Sequence, residues 1–286
     1  MNASTLIRPP RHLSRREAFL VASALLLLLL GLLAPGMTGP AASTFSDIRS
    51  LGGLPNALDV LSNLPFLVLG LLGLQRLHQL EHGHDHRHMP GVAHEELPDS
   101  SLDCAWLFFA GLVLVSAGSA FYHLQPDDVL RLAGDRAAMA VAFAGVIGLA
   151  VSDRVSQRAG WPAACVALAG GLLAVAAFHE TGNVTPWAVV QFGGMVLVVV
   201  LAMLQPVPNG ARAMHIKLGW LIAAYALAKV LELADGAVFE FSGHLVSGHS
   251  LKHVVAALAA LPVLSAVRHM AHRPVMHNRP TIAVTV

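Results

Sequence analysis

With 286 residues, 55% hydrophobic and only 12% charged, the chain lies outside the range of soluble domains, about 25% of whose residues are charged. A formal net charge of +1 says nothing of nucleic acid, and no nucleic-acid partner is expected. Two cysteines, Cys104 and Cys165, make no disulfide framework and read as small apolar packing residues.

The pattern that remains is a series of apolar runs, each near the 20 residues or so that a bilayer requires. In chain order they cover 18–36, 54–76, 103–123, 131–152, 160–179, 185–204, 214–235 and 249–267. Strict alternation of apolar and polar positions is missing, so a β-barrel is disfavoured. The expected fold is an all-α integral membrane bundle of seven core helices plus one N-terminal apolar segment.

A cytoplasmic stretch, 1–17, carries Arg8, Arg11, Arg15 and Arg16 ahead of the first run. That run, 18–36, reads either as an uncleaved helix or as a signal segment, since GPAAS follows it. The membrane domain occupies 54–267, interrupted by one long loop, 77–102, with histidine at 78, 82, 84, 86 and 88. Such tracts bind metal weakly, and a solvated polar loop is the favoured reading. The tail is 268–286.

Lysine and arginine set the topology. With the N-terminus inside, thirteen of them lie in inner segments and five (Arg49, Arg131, Arg136, Lys229 and Lys252) lie at outer ends. Both termini are then cytoplasmic, and alanine-, leucine- and arginine-rich usage points to the inner membrane of a bacterium.

On this topology several polar residues reach one depth at the outer side. Ser119 and His123, four apart, share a face at the end of the third run. Asp135 opens the fourth run, and His249 and His253, again four apart, open the last. Polar residues in spanning helices are costly and mark function. Three imidazoles with an open position suit catalytic zinc, which brings bound water toward a pKa of about 7. Asp135 then serves as general base and acid, and Ser119 as the partner of the water or oxyanion.

The three motifs, Ser119-Ala-Phe-Tyr-His123, Asp135-Arg-Ala-Ala-Met139 and His249-Ser-Leu-Lys-His253, resemble those of the alkaline ceramidase family. That family belongs to a superfamily of seven-helix membrane hydrolases that includes adiponectin-receptor-like proteins. The resemblance runs from about residue 54 onward, and the stretch before the last helix is similar to the bacterial branch. It implies hydrolysis of the amide of ceramide or another N-acyl lipid, with zinc as cofactor and His123, His249 and His253 as its ligands.

One motif departs from the family. In NALDVLSN, Asn56 stands where a glutamate is usual and Asp59 where an asparagine is usual. Only Asp47 precedes this helix after the first span, whereas animal members hold calcium with an acidic N-terminal cluster, so a calcium site is in doubt. Asn56 and Asp59 are expected to hydrogen-bond between helices. Glu232 and Asp235 either orient a metal-bound histidine or pair with Lys229, Arg136 or Lys252. His179 and His244 are spare candidates on the outer side.

Two rivals stay open beside the hydrolase. A zinc transporter accounts for the histidine-rich loop together with the intramembrane histidines, but transport needs a polar pathway across the bilayer. The inner halves of these helices are almost wholly apolar. A receptor or structural membrane protein would hold zinc without turnover.

Overall fold

The computed structural model describes residues 12–39, 45–85, 100–207 and 214–271. Most of the histidine-rich loop and the end of the C-terminal tail lie outside these residues. Among the described residues seven helices are long and apolar enough to cross a membrane: α1 (Arg15–Leu33), α2 (Ala57–His82), α3 (Ser100–His123), α4 (Val129–Arg154), α5 (Gln157–Thr181), α6 (Thr185–Ala202) and α9 (Gly248–Met270). Between α6 and α9 lie α7 (Leu218–Leu233) and a short helix, α8 (Asp235–Phe241). No strand occurs among the described residues, only isolated bridges. The chain is an all-α, multi-pass membrane bundle.

Two helices carry breaks that the sequence explains. Proline lacks the N–H that would bond the carbonyl four residues back. Pro65 therefore leaves Leu61 as the last residue of the first turn of α2, and Pro262 leaves Leu258 as the last residue of the first half of α9. Pro162 lies within the first turns of α5 and is accommodated there.

The helices differ from the expected runs at two places. α2 continues well past residue 76, because Leu77 and Leu80, three apart, are both buried. Residues 77–85 of the expected loop are therefore helical, with His78 and His82 exposed on the end of this helix. α7 begins at Leu218 rather than near 214. His215 sits at φ 53°, and its N–H donates to Asp153 at 2.8 Å. Arg154 donates to the Ile216 carbonyl at 3.2 Å, so this segment is tied to the end of α4 instead of coiling.

Packing runs from α2 to α3, α4, α6, α7, α9 and back to α2, so that six helices enclose a central space. α5 lies outside α4 and α3, and α1 leans on α6. The α3–α4 crossing is close because both helices place glycine there. A Cβ on Gly111 would stand 2.5 Å from the Ala142 backbone, and one on Gly145 would stand 2.5 Å from the Phe108 backbone. Such small-residue contacts let membrane helices approach closely. The outer surface of α1 is a stripe of exposed leucines, as a lipid-facing helix requires.

The segment before α1's end and the loop beyond it are anchored to the bundle. Glu17 is buried and accepts from Arg158 at 2.6 Å. After the helix, Val184 N–H donates to the Met37 carbonyl at 2.8 Å. Cys104 is buried against Gly148, in keeping with a packing role, whereas Cys165 is exposed on the outward face of α5.

Candidate metal centre

α3 delivers His123 at its last residue, and the fold holds that end in place. The carbonyl of His123 accepts from Asn56 Nδ2 at 2.8 Å. A glutamate at position 56, as the resemblance leads one to expect, has no N–H to give. Asn56 adopts a left-handed conformation (φ 44°, ψ 44°), which asparagine tolerates.

α9 delivers His249 and His253 from its first turns. Ser247 caps the helix, its Oγ accepting from Ser250 N–H at 3.0 Å. Gly248 touches the end of α7 so closely that a Cβ would lie 2.3 Å from the Leu231 carbonyl oxygen. Asp235 Oδ1 accepts from His249 N–H at 2.7 Å, and Asp235 Oδ2 accepts from Ser46 N–H at 2.9 Å. Asp235 thus positions His249 through its backbone. Glu232 instead pairs with Lys229 at 2.6 Å and Lys252 at 2.5 Å.

The three imidazoles are buried and form a nearly equilateral triangle, with ring centroids 4.9, 5.0 and 4.9 Å apart. Their planes are steeply inclined to one another, at 78°, 61° and 88°, so the rings meet by their edges and do not stack. One nitrogen from each lies within 4.8 Å of the other two. Nε2 of His123 is 3.3 Å from Nε2 of His249. Two nitrogens bound to one tetrahedral zinc at about 2.05 Å would be about 3.3 Å apart. The donor set fits a metal ion, which these three side chains can hold.

Ser62 Oγ lies 2.9 Å from the Asp59 carbonyl and 2.8 Å from His253 Nδ1. With His253 in the tautomer that frees Nε2 for an ion, Nδ1–H donates to Ser62 Oγ and the serine proton goes to the Asp59 carbonyl. Asp59, wholly buried, accepts from Ser250 Oγ at 2.6 Å, linking α2 to α9.

Phe45 closes the triangle on one side, its ring 4.9 Å from that of His123 and 4.3 Å from that of His249. The strap that carries it is fastened by Ser46 N–H, which donates to Asp235, and by Arg49 Nη2, which donates to the Leu245 carbonyl at 3.0 Å and pairs within the strap with Asp47 at 2.7 Å. That guanidinium holds the Asp47 carboxyl below the usual carboxylate range.

A cavity of about 470 Å³ runs from the triangle into the bundle, a size typical of small-molecule sites. Its polar end presents His123, His249, His253, Ser119 and Asp135, with Asp135 accepting a hydrogen bond from Ser119. Its walls are mostly apolar further in, with one polar pair, Gln191 Nε2 donating to Tyr225 OH at 3.1 Å. On α3 the lining runs from His123 back to Phe108, about 22 Å of helix axis.

All five residues singled out in the sequence therefore face one space. His179 and His244 do not join them: His179 is exposed on α5, and His244 sits 3.2 Å from Glu240. Ser62, Ser250 and Phe45 gave no signal of their own. Ser62 and Ser250 lie inside quoted motifs, but only their contacts assign them a role. No family model matches the chain, and no curated protein matches it.

Proposed function

We propose that the protein is a zinc-dependent intramembrane hydrolase that cleaves the amide of ceramide or a related N-acyl lipid, as the likeness of its motifs to alkaline ceramidases implies. The observation that carries this reading is the triangle of His123, His249 and His253 at the polar end of a mostly apolar cavity. An acyl chain fits the apolar length, which places its amide beside Ser119, Asp135 and the imidazoles. Excess lysine and arginine on the opposite side puts this end outside and the termini in the cytoplasm.

His123, His249 and His253 would hold the ion through neutral imidazoles. Zinc in such a site supplies Lewis acidity toward an amide carbonyl and toward water. Asp135 takes a proton from the attacking water and returns it to the departing nitrogen. Ser119 donates to the Asp135 carboxylate and orients it; once Asp135 has taken the proton of the water, the serine proton is free to turn to the oxygen on which charge develops. Water adds its hydroxyl to the carbonyl carbon, the C–N bond breaks, and a fatty acid and an amine leave. Phe45 and the strap around it exclude bulk water.

Away from its polar end the cavity carries the Gln191–Tyr225 pair but not the ladder of polar groups that ion transport needs. The test is release of palmitate from a panel of N-palmitoyl lipids by the purified protein. Activity lost in Asp135→Ala and in His253→Ala supports the reading. Bound zinc without turnover on any amide overturns it.

A further inference from the structure

Three cationic side chains, Arg136, Lys229 and Lys252, line the polar end of the cavity, against two carboxylates, Asp135 and Glu232. Glu232 is shared between Lys229 and Lys252. Arg136 is placed by Phe178, over whose ring its Cζ lies at 3.9 Å. Its Nη1 is shut away from solvent and has no hydrogen-bond partner. Burying a cation without a full complement of partners is costly; Arg136 as a whole is half-buried and lines the cavity, so the part of its guanidinium that stays open is where a ligand can complete it.

We propose that Arg136 receives an oxyanion, a carboxylate or phosphate, borne by the lipid on the amine side of its amide. One negative charge balances the cations around the cavity. A planar fork held against an aromatic ring matches the two oxygens of such a group, and charge-assisted bonds of this kind are roughly twice as strong as neutral ones. The acyl chain enters the apolar part while the headgroup stays at the polar end, among Arg136, Lys229 and Lys252. The substrate class narrows from neutral amides to acidic N-acyl lipids such as N-acyl amino acids. This specificity rests on the hydrolase reading, but the binding site does not.

The experiment is a titration of chelator-treated protein in neutral detergent, so that no ion reads the carboxylate. It follows the fluorescence of Trp187, which lines the cavity. The probes are N-palmitoylglycine and the uncharged N-palmitoylethanolamine, which share one acyl chain. The acidic lipid is expected to bind about tenfold more tightly, a preference that Arg136→Gln abolishes and Arg136→Lys retains in part. Should Arg136→Gln fail to fold, the Lys variant decides: it keeps the charge, loses the fork and must show a reduced preference.

Equal affinity for the two lipids overturns the proposal, as does a preference untouched in either variant. Displacement of the lipid by millimolar sodium phosphate overturns the lipid-borne assignment in favour of a free-anion site. If N-palmitoylglycine binds selectively and the zinc-loaded protein cleaves no amide of the panel, the hydrolase reading fails and the oxyanion site stands. If both amides are cleaved at equal kcat/KM, the hydrolase stands and the oxyanion site falls.

Discussion

Ser62 and His253, from helices far apart in the chain, are joined by a hydrogen bond: Ser62 Oγ lies 2.8 Å from Nδ1 of the imidazole. This leaves Nε2 of His253 aimed at its two partner rings. Ser62→Ala is therefore expected to weaken metal binding by about 10–100-fold, the usual cost of losing a group that orients a ligand. Ser62→Thr, which keeps the hydroxyl, should restore most of it. Competition with a chelator of known zinc affinity measures both.

Asp59 and Ser250 form the other link between α2 and α9, at 2.6 Å in a fully buried setting. Removing the hydroxyl in Ser250→Ala strands the carboxylate and should destabilise by about 1–3 kcal/mol. The double variant Asp59→Ala, Ser250→Ala should cost less than the sum of the single ones, since neither partner is then left alone. Thermal unfolding in detergent gives the cycle, and strict additivity would show that the bond is energetically silent.

Gly248 tests whether the seat of α9 on α7 matters to the triangle. A valine there meets the Leu231 carbonyl and the Asp235 backbone. Gly248→Val should move His249 away from His123 and lose metal affinity by more than tenfold, well beyond its effect on helix content. Circular dichroism beside the zinc competition separates the two effects.

The strap over the site predicts an acid-labile step. The Asp47 pKa is depressed by Arg49, so its contribution is present above the unfolded carboxylate value, about 3.9, and is lost as pH falls through the lower folded value. Asp47→Asn should remove this acid-dependent part of the strap's stability. Hydrogen exchange of residues 45–50 between pH 5 and pH 3 reads it.

Much of this could be read from the residues alone, and the physics says which part. Long apolar runs make spanning helices almost obligatory, so the bundle was legible, as were Ser119 and His123 at one helical spacing and His249 and His253 at another. Asn56 and Asp59 were expected to bond between helices and do so, to His123 and Ser250. Helix ends were less legible: His215 at positive φ and the buried Leu77 and Leu80 act through tertiary contacts that no local pattern announces. Ser62 and Phe45 escaped for the same reason. A serine in an apolar run satisfies itself on its own backbone as readily as it orients a ligand. A phenylalanine in a loop gains meaning only when two imidazoles lie beneath it.

The central claim is that His123, His249 and His253 hold one zinc ion, and elemental analysis of the purified chain tests it most directly. About one zinc per chain is expected in the parent, with marked loss in each of His123→Ala, His249→Ala and His253→Ala taken singly. Metal near one per chain in all three variants, or none in a folded parent purified without chelator and supplied with zinc, would contradict it.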